Sequence, residues 1–215
     1  MSKTRTEMEE ISKKLQDHYR KTFIKHGTTS KGVDWGDNEW ITKQRQAKML
    51  EVINQVKDES KVSLLDVGCG YGALADLVHE RNLNISYTGI DLVDEMVSAA
   101  QKRHPKFNFI SGDIMNLKLE KYDYVTCNGI LTQKLNTSNL AMNHFAQVLI
   151  KKIFNICRNG VAFNIMSTFV NFQENNLYYR NPSELMAWCM SEVTPRIRFD
   201  STYEPWYEYT IYLYR

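Results

Sequence analysis

The chain has 215 residues, of which 43% are hydrophobic and 24% are charged. These proportions indicate ordinary globular material and exclude a disordered or coiled-coil protein. Lys and Arg total 27 against 25 acidic residues, and the net charge of +2 gives no reason to expect a polyanionic partner. The basic residues are scattered without interleaved aromatics, so we predict no nucleic-acid binding.

The sequence predicts a cytoplasmic protein that makes no membrane contact. Its first residues lack the apolar core of a signal peptide, and no run approaches the ~20 apolar residues that cross a bilayer. The four cysteines are far apart and the histidines form no HExxH motif, which predicts reduced thiols and no metal site. The cysteines are Cys69, Cys127, Cys157 and Cys189.

Two helices are predicted before the first strand. Apolar residues recur every three or four positions from Thr6 to His26, as on one face of a long helix. Turn residues follow, and Asp37 is the candidate N-cap of the second helix. Its predicted buried face consists of Trp40, Ile41, Ala47, Leu50 and Ile53. We expect residues 1–58 to form a helical lid on a core of residues 59–215, within a single domain.

The stretch from Val62 to Val78 reads as a strand, a glycine-rich turn and a helix. Residues 62–67 are an apolar run of strand length, and glycines occupy positions 68, 70 and 72. Residues 73–78 continue at helical spacing. In this order, backbone N–H groups and a helix N-terminus can approach a ligand closely, so the turn is a candidate binding site.

Strands and helices alternate through the remainder of the chain. Further strands are predicted at 85–90, 107–110, 122–127 and 161–166, and helices begin near Val93, Leu140 and Pro182. Two last strands, near 196–199 and 207–214, have hairpin spacing. The pattern predicts a doubly wound α/β fold with a mostly parallel, seven-stranded sheet and an antiparallel last strand.

By spacing alone, the turn satisfies the dinucleotide pattern GxGxxG/A. Asp91 lies about 20 residues further on, where a βαβ unit places an acid against ribose hydroxyls. An NAD-dependent oxidoreductase therefore remains open, although we find no Tyr-x-x-x-Lys pair for proton relay.

The run from Asp66 to Gly72, Asp-x-Gly-x-Gly-x-Gly, resembles the first motif of class I S-adenosylmethionine-dependent methyltransferases. Asp91, the segment 112–114 and the segment 128–129 are similar to later motifs of that family, in the same order. The resemblance implies a Rossmann-like fold, S-adenosylmethionine as methyl donor, S-adenosylhomocysteine as product and a small-molecule acceptor.

The resemblance also implies roles at the methionyl end of the cofactor. Gly68 and Gly70 would let the backbone approach it, because no Cβ intervenes. Asp66 would be an indirect partner of the amino group. Asn128 and Gly129 would lie beside the methionine.

At the nucleoside end, the resemblance implies that Asp91 accepts hydrogen bonds from both ribose hydroxyls and that Leu92 packs on the adenine. Gly112, Asp113 and Ile114 correspond to the adenine-binding segment. The Asp113 carboxylate would accept from the exocyclic amine, and the Ile114 amide would donate to the ring.

Two residues before the sheet complete the predicted cofactor site. The chain resembles a branch of the family with a similar Gly-Val-Asp-Trp-Gly segment, and this resemblance implies that Arg45 meets the methionine carboxylate. The alternative is an exposed surface arginine. Trp35 either closes over the cofactor or only anchors its loop.

The acceptor is predicted to bind among the lid loop, the loop after strand four, the Tyr178–Arg180 loop and the tail. His26, Tyr178 and Tyr179 are the candidate general bases, needed only for a hydroxyl or protonated amine acceptor. Arg180 and Lys134 favour a small polar, possibly anionic acceptor.

The sequence therefore predicts methyl transfer to a small polar, perhaps phospho- or sugar-linked metabolite. A loose similarity to enzymes encoded with bacterial surface-polysaccharide genes suggests capsule modification. The protein is expected to be a monomer or homodimer. The alternative to an enzyme is a regulator or inactive subunit that binds the cofactor without catalysis.

Overall fold

The computed structural model describes residues 3–53 and 61–215. Its helices are α1 (Lys3–His26), α2 (Glu39–Leu50), α3 (Ala73–Glu80), α4 (Asp94–Arg103), α5 (Asn139–Asn155) and α6 (Pro182–Glu192), with a 3-10 helix at Ser30–Val33. Its strands are β1 (Val62–Val67), β2 (Ile85–Asp91), β3 (Asn108–Ser111), β4 (Tyr122–Cys127), β5 (Cys157–Ser167), β6 (Tyr179–Arg180), β7 (Ile197–Asp200) and β8 (Glu208–Tyr214).

One mixed sheet runs through the molecule in the order β3-β2-β1-β4-β5-β8-β7, and β6 adds two residues beside β5. Strands β1 to β5 pair in parallel, and β8 pairs antiparallel with both β5 and β7. The predicted fold is confirmed, with the two-residue β6 as an addition to the seven strands. Within the described residues, no helix is long and apolar enough to cross a membrane.

Neighbouring residues of each central strand enter two different cores, because successive side chains point to opposite faces of a sheet. Leu65 and Val125 join the core beneath α1, α5 and α6. Leu64 and Tyr124 join the core beneath α2 and α3. A parallel sheet buried on both faces explains why β1 reads as a continuous apolar run.

The two N-terminal helices lie on opposite faces of the sheet. Helix α1 contacts α4 and α5, whereas α2 contacts α3 on the other side. The connection between them crosses the carboxyl edge of the sheet, where Val33 approaches Gly70 and Trp35 approaches Gly129. This crossing covers the ends of β1 and β4, next to the glycine turn.

The predicted buried face of α2 is wrong in part: Leu50 is buried and Ala47 and Ile53 pack against the core, but Trp40 does not. The N-cap is Asn38 rather than Asp37, and its side chain accepts from the amides of Trp40 and Ile41. Trp40 is 55% exposed, and the buried residues of α2 include polar ones. They are Thr42, Arg45, Gln46, Met49 and Leu50. Burial of the polar residues is possible because partners from distant parts of the chain bind them, which apolar spacing does not reveal.

Two leucines test the assignment of the core. Leu185 on α6 is 2% exposed and Leu140 on α5 is 81% exposed. We expect Leu185→Ala to lower the free energy of unfolding in urea by about 2–5 kcal/mol, because it removes buried methyl groups and leaves a cavity. The same change at Leu140 is the control and should have little effect. Similar losses for both variants would contradict the packing of α6.

Candidate functional site

The chain leaves β1 through a turn that only glycines adopt comfortably. Gly68 and Gly70 have φ angles of +77° and +54°. The amide of Gly68 donates to the carbonyl of Ile90 at 2.8 Å, which links the turn to β2. A Cβ at Gly68 would lie 2.7 Å from Cγ1 of Ile130, so a side chain there would force the Ile130 side chain to shift.

A cleft of about 880 Å³ opens where the carboxyl ends of β1 to β4 meet α1 and the crossing loop. We call it the first cleft. Of the predicted cofactor residues, ten line it: Trp35, Gly68, Gly70, Asp91, Leu92, Gly112, Asp113, Ile114, Asn128 and Gly129. Helix α1 contributes Ser12, Leu15, Gln16 and Tyr19 to its wall. The carboxyl edge of an open parallel sheet is where ligands of such folds bind.

The Asp91 carboxylate is held at the wall of the first cleft by backbone amides. One oxygen accepts from the Gly70 amide and the other from the Val93 amide, each at 2.9 Å. Burial raises the pKa of Asp91, and these amides oppose the rise. Since each carboxylate oxygen has two acceptor positions, both can still receive a ligand hydroxyl.

The segment after β3 is fixed to the same edge. The Gly112 amide donates to the Asp91 carbonyl at 2.9 Å, and one Asp113 carboxylate oxygen accepts from the Met115 amide at 2.9 Å. This turn leaves the other Asp113 oxygen for a ligand. Asp91 and Asp113 therefore lie on one side of the first cleft.

Two buried polar atoms at the first cleft have no partner among the described residues. They are Oδ1 of Asn128 and the hydroxyl of Ser12, each in a residue at least nine-tenths buried. The Asn128 amide nitrogen is already bonded to Oε1 of Gln46 at 3.2 Å. An unpaired buried polar atom costs about 1–3 kcal/mol, and a polar ligand in the cleft would remove that cost.

Trp35 separates the first cleft from a second one and borders both. Its indole lies against Gly129, where a Cβ would come within 2.6 Å of Cζ2. The guanidinium of Arg45 lies 5.0 Å from the ring centroid, within the range of a cation–π contact. Because residue 129 is a glycine, the indole of Trp35 can approach closely and form the wall between the two clefts.

Arg45 is buried in an ion pair with Glu208 of β8. Its Nε–H is shared between both carboxylate oxygens, at 3.0 and 3.1 Å, and Nη2 donates to the Tyr207 hydroxyl at 3.4 Å. Asn164 donates to Glu208 at 3.4 Å and accepts from the Gly129 amide at 2.7 Å. Burial raises the pKa of Glu208, and Arg45 offsets part of that rise. Because Arg45 is buried, the alternative of an exposed surface arginine is wrong. The residue borders the second cleft and not the first.

The second cleft has a volume of about 930 Å³ and brings together Arg45 of α2 and four other segments. The four segments are the crossing loop, the loop after β4, the region from the end of β5 to β6, and the start of β8. Its lining residues are Asp34, Trp35, Gly36, Arg45, Thr132, Gln133, Met166, Val170, Asn171, Phe172, Glu174, Leu177, Tyr179, Trp206, Tyr207 and Glu208. These are the segments from which the acceptor pocket was predicted.

Of the three candidate bases, Tyr179 alone borders a cleft. Its hydroxyl accepts from the Glu174 amide at 3.1 Å. Tyr178 is in the core, donates to Asn143 at 2.7 Å, and has its pKa raised by burial, so it stays protonated at neutral pH. His26 ends α1 and lines neither cleft. The structure therefore does not bring these three residues together.

Asp66 lies behind the glycine turn rather than in the wall of the first cleft. Its carboxylate accepts from the hydroxyls of Tyr87 at 2.7 Å and Thr126 at 2.9 Å. Burial raises the pKa of Asp66 to about 6, against the two hydrogen bonds that lower it. The residue therefore links β1 to β2 and β4 at the level of the turn.

Sequence reasoning missed the polar residues that α1 and α2 direct at the first cleft. Ser12 and Gln16 stand within the apolar stripe of α1, and Gln16 donates to the Leu92 carbonyl at 2.6 Å. Polar residues within an otherwise apolar stripe could have indicated that this face of α1 borders a binding site. Gln46 on α2 had no such signal. Among the described residues, no group of three His, Cys, Asp or Glu side chains is placed to hold a metal ion.

Comparison with known proteins shows which proteins this arrangement resembles. Residues 64–152 match the family model described as a methyltransferase domain. Over these residues the chain is similar to methyltransferase domains. The match confirms the predicted resemblance to class I methyltransferases, and it covers β1 to α5, which include the glycine turn and the acids at the first cleft.

The chain has relatives of several kinds. A putative methyltransferase of Mycobacterium tuberculosis is 29% identical over 154 residues, which cover 69% of this chain and 90% of that protein. A ubiquinone biosynthesis O-methyltransferase of Rickettsia canadensis is 30% identical over 142 residues, which cover 63% of this chain but 58% of the relative. The magnesium protoporphyrin IX methyltransferase of Synechocystis, solved with bound S-adenosylhomocysteine, has a TM-score of 0.71 at 14% identity, covering 94% of this chain and 99% of that one. The relatives' names give different acceptors.

The ion pair behind Trp35 should be essential for stability. We expect Arg45→Met to lower the free energy of unfolding by about 3–5 kcal/mol, because it leaves the Glu208 carboxylate buried without its cation. The double variant Arg45→Met/Glu208→Leu should regain most of the loss in the same urea titration. Arg20→Met, which removes a surface pair with Glu95, is the control and should change little. A stable single variant would contradict the pair's role.

Asp66 should make stability depend on pH. Because its folded pKa of about 6 exceeds the ordinary value of 3.8, its contribution is complete below the ordinary value and is lost as pH rises through 6. Compared with Asp66→Asn, the wild type should gain about 1 kcal/mol in free energy of unfolding between about pH 8 and about pH 5. Parallel pH profiles for the two proteins would exclude the raised pKa.

Proposed function

We propose that this chain transfers a methyl group from S-adenosylmethionine to a small-molecule acceptor. The observation that carries the proposal is the first cleft. A glycine turn, two carboxylates at the ends of neighbouring strands, and two unpartnered polar atoms converge there. The methyltransferase family match includes the turn and both carboxylates.

The residues at the first cleft fit this donor. Asp91 would bind the ribose hydroxyls, while Leu92, Gly112, Asp113 and Ile114 would hold the adenine. A charge-assisted bond from a hydroxyl to a fixed carboxylate is stronger than a neutral one, and the amides of Gly70 and Val93 already fix Asp91.

The methionyl end of the donor would lie against the glycine turn and the loop after β4. Gly68 and Gly70 leave room for it, and Oδ1 of Asn128 is an acceptor in need of a donor, such as an ammonium group. Asp66 would act indirectly, by holding the turn. Arg45 is engaged by Glu208, so a contact with the methionine carboxylate would depend on its remaining N–H groups.

Bound S-adenosylmethionine supplies a methyl group on a positively charged sulfur, which departs as a neutral thioether. The chain's own contribution would be to position the acceptor in line with that group, and alignment of this kind can account for much of the rate. The second cleft is the candidate acceptor site because it adjoins the first cleft at Trp35, which lines both.

The predicted polar, perhaps anionic acceptor has weaker support than the donor. Arg180 and Lys134 are not among the described residues that line the second cleft, and Arg45 is neutralised by Glu208. The suggested link to surface polysaccharides rests on sequence similarity alone.

We propose that residues 1–58 and the core form one domain, with the crossing loop as lid.

Calorimetric titration tests the donor. We expect S-adenosylmethionine and S-adenosylhomocysteine to bind with dissociation constants below about 1 mM, the usual upper range for enzyme ligands. NAD is the control and should not bind in that range. Binding of NAD without the sulfur compounds would support the oxidoreductase alternative instead.

Removing the charge of Asp91 should weaken donor binding. We expect Asp91→Asn to raise the dissociation constant for S-adenosylhomocysteine by about 10- to 100-fold, because a hydrogen bond to a charged group is worth about 1.5–3 kcal/mol. Asp94→Asn makes the same change on an exposed residue of the next helix that lines neither cleft, and should leave affinity unchanged. Equal affinity in both variants would refute the ribose role of Asp91.

A further inference from the structure

We propose that the second cleft binds a flat, largely apolar acceptor whose polar end is uncharged or cationic and is held by Asp34. This inference rests on the proposed function and specifies its acceptor class. It replaces the anionic acceptor predicted from the sequence with one that matches the aromatic walls and the carboxylates of the second cleft.

The walls of the second cleft are mainly aromatic and apolar. Phe172 is 72% exposed and Trp206 is 52% exposed, although both are large hydrophobic side chains at the cleft. Trp35, Tyr179 and Tyr207 add three more aromatic rings. A flat ligand would cover the exposed rings, and stacked or edge-to-face contacts between rings add to the gain from burial.

The charges that line the cleft are unfavourable for an anion. Among the described lining residues there are three carboxylates, on Asp34, Glu174 and Glu208, and one cation, on Arg45. Arg45 is paired with Glu208. An anionic acceptor would therefore meet two further carboxylates without a free cation in the wall, whereas an ammonium or hydroxyl group would meet acceptors.

Asp34 directly precedes Trp35 in the chain, and hydrogen bonds hold its side chain in place. One carboxylate oxygen accepts from Nε2 of His18 at 2.8 Å and from Nε2 of Gln133 at 2.7 Å. Gln133 is held in turn by Asn176 at 3.1 Å. These bonds fix the carboxylate and leave its second oxygen to receive an N–H or O–H from the acceptor.

The position of Trp35 explains why Asp34 is well placed. Trp35 borders the donor cleft on one side and the second cleft on the other, so the acceptor's reactive end must lie near it to reach the methyl group. A carboxylate on the preceding residue can then hold that end. Because one indole lines both clefts, a small molecule in the second cleft would react at their shared boundary.

Three indoles of matched size test the charge preference. S-adenosylhomocysteine is first bound to saturation, and failure at this step would count against the proposed function itself. Tryptamine, indole-3-ethanol and indole-3-acetate are then titrated calorimetrically. We expect the cation and the alcohol to bind at least about tenfold more tightly than the carboxylate, which corresponds to about 1.4 kcal/mol.

Variants identify the groups responsible. Asp34→Asn should weaken tryptamine about tenfold and leave indole-3-ethanol nearly unchanged, because it removes only the charge. Its backbone is kept, since Asp34 has a φ angle of +60° and asparagine tolerates that conformation. Asp37→Asn, on an exposed acid paired with Lys31 outside the cleft, is the control and should have no effect.

Trp206→Ala should weaken all three indoles several-fold without changing their order, because it removes an aromatic wall and no charge. The proposal is overturned if indole-3-acetate binds as tightly as tryptamine. It is also overturned if none of the three binds to the protein loaded with S-adenosylhomocysteine.

Discussion

The buried pair between Arg45 and Glu208 is the interaction on which the arrangement of the two clefts depends. Taking both charges out of water costs several kcal/mol per ion, and this is offset only because the two groups meet closely and because Asn164 and Tyr207 supply further hydrogen bonds. The pair attaches α2 to β8 and places the guanidinium over Trp35. The guanidinium therefore packs on the same indole that lies against Gly129.

The two clefts differ in how they are built. The first uses backbone amides, glycines and acids at the ends of adjacent parallel strands, so a short local sequence determines most of it. The second is assembled from α2, the crossing loop, the loop after β4, the region before β6 and the start of β8. A fixed donor site beside a variable acceptor site accords with relatives that share the fold but whose names give different acceptors.

This difference explains what the sequence could predict. The order of strands, the turn at Gly68 and the placement of Asp91 and Asp113 follow from local spacing, and the structure agrees. Arg45 and Trp40 could not be placed, because the partner of Arg45 is 163 positions away and the amphipathic pattern of α2 is misleading. Tyr178 was predicted to face the acceptor from one loop with Tyr179 and Arg180, yet its side chain is buried in the core just before β6 begins. Long-range pairing decides these cases, and single-sequence patterns do not contain it.

The shared indole also limits how an acceptor can react. If the donor occupies the first cleft as proposed, its methyl group must be reached past Trp35, which Arg45 and Gly129 hold on two sides. A rigid wall of this kind favours acceptors that present a narrow nucleophilic end while the bulk of the molecule remains among the aromatic side chains of the second cleft. If Asp34 holds that end as proposed, its carboxylate would also favour a nucleophile that carries an N–H or O–H hydrogen.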